Sequence, residues 1–316
     1  MAVTSITVKE GATISPRVID FVTQFQRDWE AYNKILGILR PIKKNPGSEL
    51  RVKSVKVNLN KTQVEKGEKI NLTTFELDEK PVGNMTIEKY RTQVPIEDIE
   101  QYGYELACAR TDEEFRAELK SDVTDRFYTF LKNHAKLKGQ QKTWKASLAI
   151  AKGAVENRFK AMHKTVTEVV GFANIMDAYQ YLADAELTVQ TAFGINYVEN
   201  FLGYRTLFLL SDTEMPQGKV IAVPRNNIVE YYTDPGDSNY AKAELVYYVN
   251  GDTNLIGFAT RGDYDTASSM GYAIMGLHLM VEYEDGICLV EVKPSADPAL
   301  PTVPAEPAEP AEPEGT

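Results

Sequence analysis

The chain has 316 residues, of which 43% are hydrophobic and 25% charged, with 35 Lys and Arg against 45 Asp and Glu for a net charge of -10. That length and balance are ordinary for a globular protein and allow a sizeable core in one large domain or two smaller ones. The acidity excludes a chain-wide grip on nucleic acid, which needs concentrated positive charge. Two distant cysteines, Cys108 and Cys288, exclude a disulfide framework and read as small, reduced, buried residues. Residues 1–10 show no basic segment followed by an apolar one, so no secretory signal is visible. The most apolar region, residues 267–281, is too interrupted to cross a bilayer, which takes about 20 apolar residues. A soluble, cytosolic product is expected.

Residues 15–39 read as an amphipathic helix opened by Ser15 and Pro16 and closed at Arg40-Pro41. Its apolar series is Val18, Val22, Phe25, Trp29, Tyr32, Leu36 and Leu39. The stripe packs either on the chain's own core or on a neighbouring subunit. Residues 42–48 form a loop. Residues 50–59 and 70–77 then alternate apolar positions with lysines and threonines, which predicts two strands folded back through a polar link at 60–69. No helix lies inside this stretch to cover it, and an isolated ribbon is only marginally stable in water. Residues 78–84 read as a polar turn, residues 85–94 as a strand, and residues 95–102 as a short helix.

Thr111 and Glu114 match a capping box and predict a long helix from 111 whose Phe115, Leu119, Val123, Phe127 and Leu131 form one stripe. Gly139 reads as its stop. A helix over 143–159 follows, then a buried strand at 166–173 and a helix through 185 capped by Asn174. Short strands are expected at 206–210, 219–223, 228–232 and 245–249. Residues 277–283 and 287–292 flank Asp285-Gly286, a hairpin signal. The Ala-Glu-Pro repeats from 294 onward read as an acidic, disordered extension.

The search for catalytic chemistry yields little. No nucleotide-binding glycine loop, nucleophile elbow, paired-cysteine motif or HExxH helix is present. His134, His163 and His278 are scattered. The loops at 234–239 and 250–254 carry oxygen ligands but lack the EF-hand spacing, and Asx-Gly sequence is good turn chemistry. No catalytic residue, metal or cofactor is assigned. The lysines of region 40–69 suit contact with the acidic surface of another copy, or protection of an exposed strand edge.

The order of these elements resembles the major capsid proteins of tailed bacteriophages, an α+β fold of the Hong Kong 97 type. The stretch Gly203 to Tyr232, with Ser211-Asp212, Gln217-Gly218-Lys219 and Val223-Pro224, resembles that family's axial-domain strands. The resemblance implies an N-terminal arm (1–49), an extended β-ribbon loop (50–92), a peripheral domain with a long spine helix (93–165), an axial domain (166–269), closing strands of the peripheral domain (270–293) and a disordered tail (294–316). It implies a structural protein, not an enzyme, whose copies assemble as pentamers and hexamers of an icosahedral head enclosing double-stranded DNA. Contacts between subunits are then expected at Lys53, Val55, Val57, Lys61, Lys66, Lys69, Leu72 and Phe75 of the ribbon and at Phe25, Trp29 and Tyr32 of the arm. Asp234 and Asp237 would line the capsomer centre. Implied partners are copies of the chain itself, a separate scaffolding protein, a portal, and decoration or head-completion proteins, with no membrane; the place is the virion, after assembly in the host cytoplasm. An encapsulin-like shell is the alternative within the fold, and a hydrolytic α/β enzyme the alternative outside it.

Overall fold

The computed structural model describes residues 15–36, 39–58, 72–166, 168–182, 189–192, 195–225, 227–250, 254–293 and 299–302. In chain order the elements are α1 (Pro16–Leu36), β1 (Leu39–Lys43), β2 (Glu49–Asn58), β3 (Thr74–Asn84), β4 (Glu88–Pro95), α2 (Ile96–Tyr102), α3 (Tyr104–His134), β5 (Leu137–Gln141) and α4 (Trp144–Ala161). Then come β6 (Val169–Asn174), α5 (Ile175–Leu182), β7 (Gln190–Ala192), β8 (Ile195–Glu199), β9 (Thr206–Leu210), β10 (Lys219–Pro224) and β11 (Ile228–Thr233). The last are α6 (Ser238–Lys242), β12 (Ile256–Asp263), β13 (Ser268–Val281), β14 (Cys288–Val292) and β15 (Ala299–Thr302). The class is α+β, as the sequence predicts.

Three sheets organise these elements. Five strands run β1-β11-β13-β12 with β4 also on β13, eight run β15-β5-β14-β10-β6-β9-β8-β7, and among the described residues β2 and β3 form a two-stranded sheet of their own. The central strands β6, β9 and β10 are almost wholly buried, and their continuous apolar runs show it in sequence. Helices α1 and α3 share a core with both large sheets through Phe21, Phe25, Phe127, Phe172, Phe208 and Phe258. Helix α4 covers the other face of the eight-stranded sheet with Leu148, Ala151 and Val155. Its N-cap Thr143 accepts from the Ala146 amide at 3.3 Å.

Sheet membership divides the chain differently from the expected boundaries. Strand β5 and helix α4, expected in one domain with the long helix, build the eight-stranded sheet and its cover. Strands β11 and β12, expected in the axial domain, instead lie with β4 and β13, and β14, expected as a closing strand of the peripheral domain, lies in the eight-stranded sheet. The chain passes from one sheet to the other between β10 and β11 and again between β13 and β14. Asn227 ties the two crossings together. Its side-chain amide donates to the Tyr283 carbonyl at 3.1 Å, its side-chain oxygen accepts from the Tyr283 amide at 3.0 Å, and its own carbonyl accepts from the Glu282 amide at 2.9 Å.

Several other expectations are corrected. Helix α3 begins at Tyr104, and Thr111 lies inside it with its hydroxyl donating to the Ala107 carbonyl at 3.0 Å, so the capping box is not used. Gly139 is a residue of β5, not a helix stop. Residues 78–84 continue β3, and the run at 245–249 makes only one isolated bridge, Tyr248 to Phe258. The Asp285-Gly286 signal is a 3-10 turn, not a hairpin; Arg158 pairs with Asp285 there, and β13 and β14 enter different sheets. Arg40-Pro41 lies in β1, an edge strand where proline is tolerated. Part of the expected tail, Ala299–Thr302, is strand β15 on β5; residues 303–316 lie outside the described residues. Cys108 and Cys288 are free and buried, and no described helix is long and apolar enough to cross a membrane.

Candidate assembly surfaces

The ribbon is built by β2 and β3. Its register places Val57 opposite Phe75 and Val55 opposite Leu77, alternating with Lys56 opposite Glu76 and Ser54 opposite Asp78. Paired residues share a face of an antiparallel ladder, so Phe75 and Leu77 belong to one face and Glu76 to the other. Val57, Phe75 and Leu77 are 53%, 69% and 61% exposed, and Leu72 beyond them is 86% exposed. A pair of strands with an uncovered apolar face is an incomplete structure in water. The root is anchored: Leu50 and Met85 are buried against Val229, Tyr231 and Met280. Arg51 adds exposed ion pairs to Glu49 at 2.7 Å and Glu79 at 3.5 Å. Lys53 lies opposite Glu79 in the ladder. Lys61, Lys66 and Lys69 lie outside the described residues.

The arm residues behave otherwise. Phe25, Trp29 and Tyr32 are all at most 2% exposed and belong to the chain's own core, so their expected contact with another subunit is corrected. The heptad rhythm signalled burial but not the partner. Phe21, absent from that rhythm, is equally buried and stacks on Phe258 at 4.1 Å between centroids. Near the start of α1, Arg17 donates to both carboxylate oxygens of Asp112 on α3, at 2.5 and 2.6 Å, and to Ser269 of β13 at 3.1 Å. This buried fork ties α1 to the long helix and to the sheet. Asp112 was readable from sequence only as a first-turn acid.

Asp234 and Asp237 follow β11 at the end of the five-stranded sheet. Lys43 of β1 pairs with them at 2.8 and 3.7 Å, and Asp237 caps α6. They are engaged within the chain and are not carried by the eight-stranded sheet.

A second apolar surface has no counterpart in the sequence reading. Ile96, Tyr102, Tyr104 and Leu106, around the α2–α3 junction, are exposed beside Tyr264 in the β12–β13 turn. A shallow cavity of about 530 Å³ is lined by Ile96, Ile99, Tyr104 and Tyr264, with Asp263 and Ser269. Among the described residues no group of three His, Cys, Asp or Glu side chains is placed to hold a metal ion.

No protein-family model matches the sequence, and no curated protein sequence matches it significantly. Solved structures do match. The capsid of cyanophage P-SCSP1u aligns over 93% of this chain and 93% of its own at 8% identity and a TM-score of 0.51. The mature capsid of bacteriophage PhiM1 aligns over 92% and 91% at 9% identity and a TM-score of 0.52. The chain has the Hong Kong 97-type capsid fold. An encapsulin of Synechococcus elongatus PCC 7942 aligns over 93% and 94% at 12% identity with a TM-score of 0.48.

Proposed function

We propose that this chain is the major capsid protein of a tailed bacteriophage, a structural protein whose work is binding its own copies. Pentamers and hexamers would close an icosahedral head around double-stranded DNA, assembled in the host cytoplasm with a separate scaffolding protein and completed by portal and decoration proteins. The observation that carries the reading is the ribbon. Its Val57, Leu72, Phe75 and Leu77 present apolar surface that the described residues leave open, on a fold shared with two phage capsid structures. Burial recovers about 25 cal/mol per Å² of apolar surface, and one such contact per subunit is repeated around a closed shell. The net charge of -10 keeps the wall from adhering to packaged DNA.

In this reading the five-stranded sheet with α3 is the peripheral domain and the eight-stranded sheet with α4 and α5 the axial domain. The rim at the capsomer axis then belongs to loops of the eight-stranded sheet and not to Asp234 and Asp237. Sedimentation and negative-stain microscopy of the chain expressed with its assembly partners test the proposal. Closed particles are expected; a chain that stays monomeric in their presence refutes it.

A further inference from the structure

We propose that residues 303–316 lie across the exposed face of helix α4 of their own chain and hold that face against other polyanions. The contact is internal to one chain and does not depend on the shell. Charge, place and length support it.

The charge of α4 runs against that of the molecule. The chain carries -10 overall, yet residues 142–164 contain Lys142, Lys145, Lys152, Arg158, Lys160 and Lys164 against the single acid Glu156. The helix buries Trp144, Leu148, Ala151, Val155 and Phe159 against the eight-stranded sheet. Lys142 and Lys145 at one end and Lys160 and Lys164 at the other are exposed. Between them the surface is low: Ala149 and Gly153 are exposed, and a Cβ at Gly153 would meet nothing within 4 Å. A peptide can therefore approach the helix backbone closely there. Residues 303–316 have the opposite sign, with Glu306, Glu309, Glu312 and Glu314 and no lysine or arginine.

Strand β15 delivers the chain to this helix. It lies beside α4 and pairs antiparallel with β5, Ala299 opposite Gln140 and Thr302 opposite Lys138, so the chain leaves it heading toward Leu137. The Leu137 amide donates to the Ile287 carbonyl at 3.2 Å, next to the 3-10 turn where Asp285 pairs with Arg158 in the last turn of α4. The exit from β15 is therefore at the C-terminal end of α4, the end flanked by Lys160 and Lys164.

Pro304, Pro307, Pro310 and Pro313 recur at every third position, which favours polyproline II, at three residues per turn and about 3.1 Å per residue. In that form Glu306, Glu309 and Glu312 share one side, and Glu306 to Glu314 spans roughly 25 Å. Lys160 to Lys145 spans about 22 Å along the helix axis. The link from Thr302 to Glu306 adds roughly 12 Å, enough to round the helix end. A row of carboxylates thus matches a row of amines, running antiparallel to α4. Exposed ion pairs are individually weak, but a tethered segment meets its site at an effective concentration near millimolar.

Zero-length carbodiimide crosslinking of the full chain, read by mass spectrometry on mixed isotope-labelled and unlabelled copies, tests the contact. Carboxylates of residues 306–314 should link to Lys145, Lys160 and Lys164 of the same copy roughly tenfold more often than to the exposed Lys89 and Lys242, a preference lost in about 1 M salt, where the screening length is about 3 Å. Links chiefly to Lys61, Lys66 or Lys69 of the ribbon stretch, links between copies, or no links overturn the proposal. Double-stranded DNA serves as the competing polyanion. The full chain with Glu306→Gln, Glu309→Gln, Glu312→Gln and Glu314→Gln should retain DNA at low salt roughly tenfold more tightly than the parent, and adding Lys145→Gln and Lys160→Gln should reverse the gain. Equal retention by the parent and the glutamine variant overturns the proposal as well.

Discussion

Replacing Glu230 with glutamine should flatten the pH dependence of stability between pH 4.5 and 8. Glu230 is wholly buried in β11, and neither carboxylate oxygen has a hydrogen-bond partner among the described residues. Across the sheet it faces Pro41 and Leu279, with Tyr232 two residues along. Burial pushes its carboxyl from the ordinary 4.5 up to about 8. The acid is therefore neutral in the folded protein at pH 7 and ionised once unfolded. The sign follows from linkage: the folded pKa is the higher one, so the contribution to stability is complete below pH 4.5, falls as pH rises, and is lost by about pH 8. The total change is roughly 3–5 kcal/mol. Glutamine keeps the shape and cannot ionise. Urea denaturation of both proteins across this range should give curves that diverge as pH rises, with the variant more stable at pH 8. Parallel curves would mean that the carboxyl has found water or a partner.

The second large effect concerns the fork between Arg17 and Asp112. The two side chains are 8% and 5% exposed. Asp112→Ala strands a guanidinium among Cys108, Ser269 and the α1–α3 interface. Removing one member of a buried pair costs about 3–5 kcal/mol. Replacing both, as Arg17→Met with Asp112→Leu, should recover most of that loss, because the cost comes from the unpaired charge. Urea midpoints of the single and double variants measure it. A single variant within 1 kcal/mol of the parent, on the scale of an exposed pair, would show that the fork is solvated.

Such features set the limit of what the sequence discloses. The ribbon was legible because alternation with a charged link leaves a two-faced strand pair and nothing in sequence to cover it. The buried strands β6, β9 and β10 were legible as apolar runs. Phe25, Trp29 and Tyr32 show why partners are harder: a helical stripe states that a face is buried but not whether the burying surface belongs to the same chain. Thr111 and Glu114 make a sound capping box, yet Gly103 opens the helix earlier and Arg17 claims Asp112 across 95 positions of sequence. Asp285-Gly286 is sound hairpin chemistry. Asn227 and Arg158, both distant in sequence, turn the chain instead into the second sheet. The apolar surface around α2 was missed because its residues come from two segments that only the fold brings together.

The central claim is that the ribbon is open in the single subunit and covered in the shell. Hydrogen exchange by mass spectrometry, on monomer and on assembled particles, addresses it directly. The account predicts that peptides from β2 and β3 exchange rapidly in the monomer and become strongly protected in particles, while α3 and β9 are protected in both. Equal protection of the ribbon in the two states would contradict it.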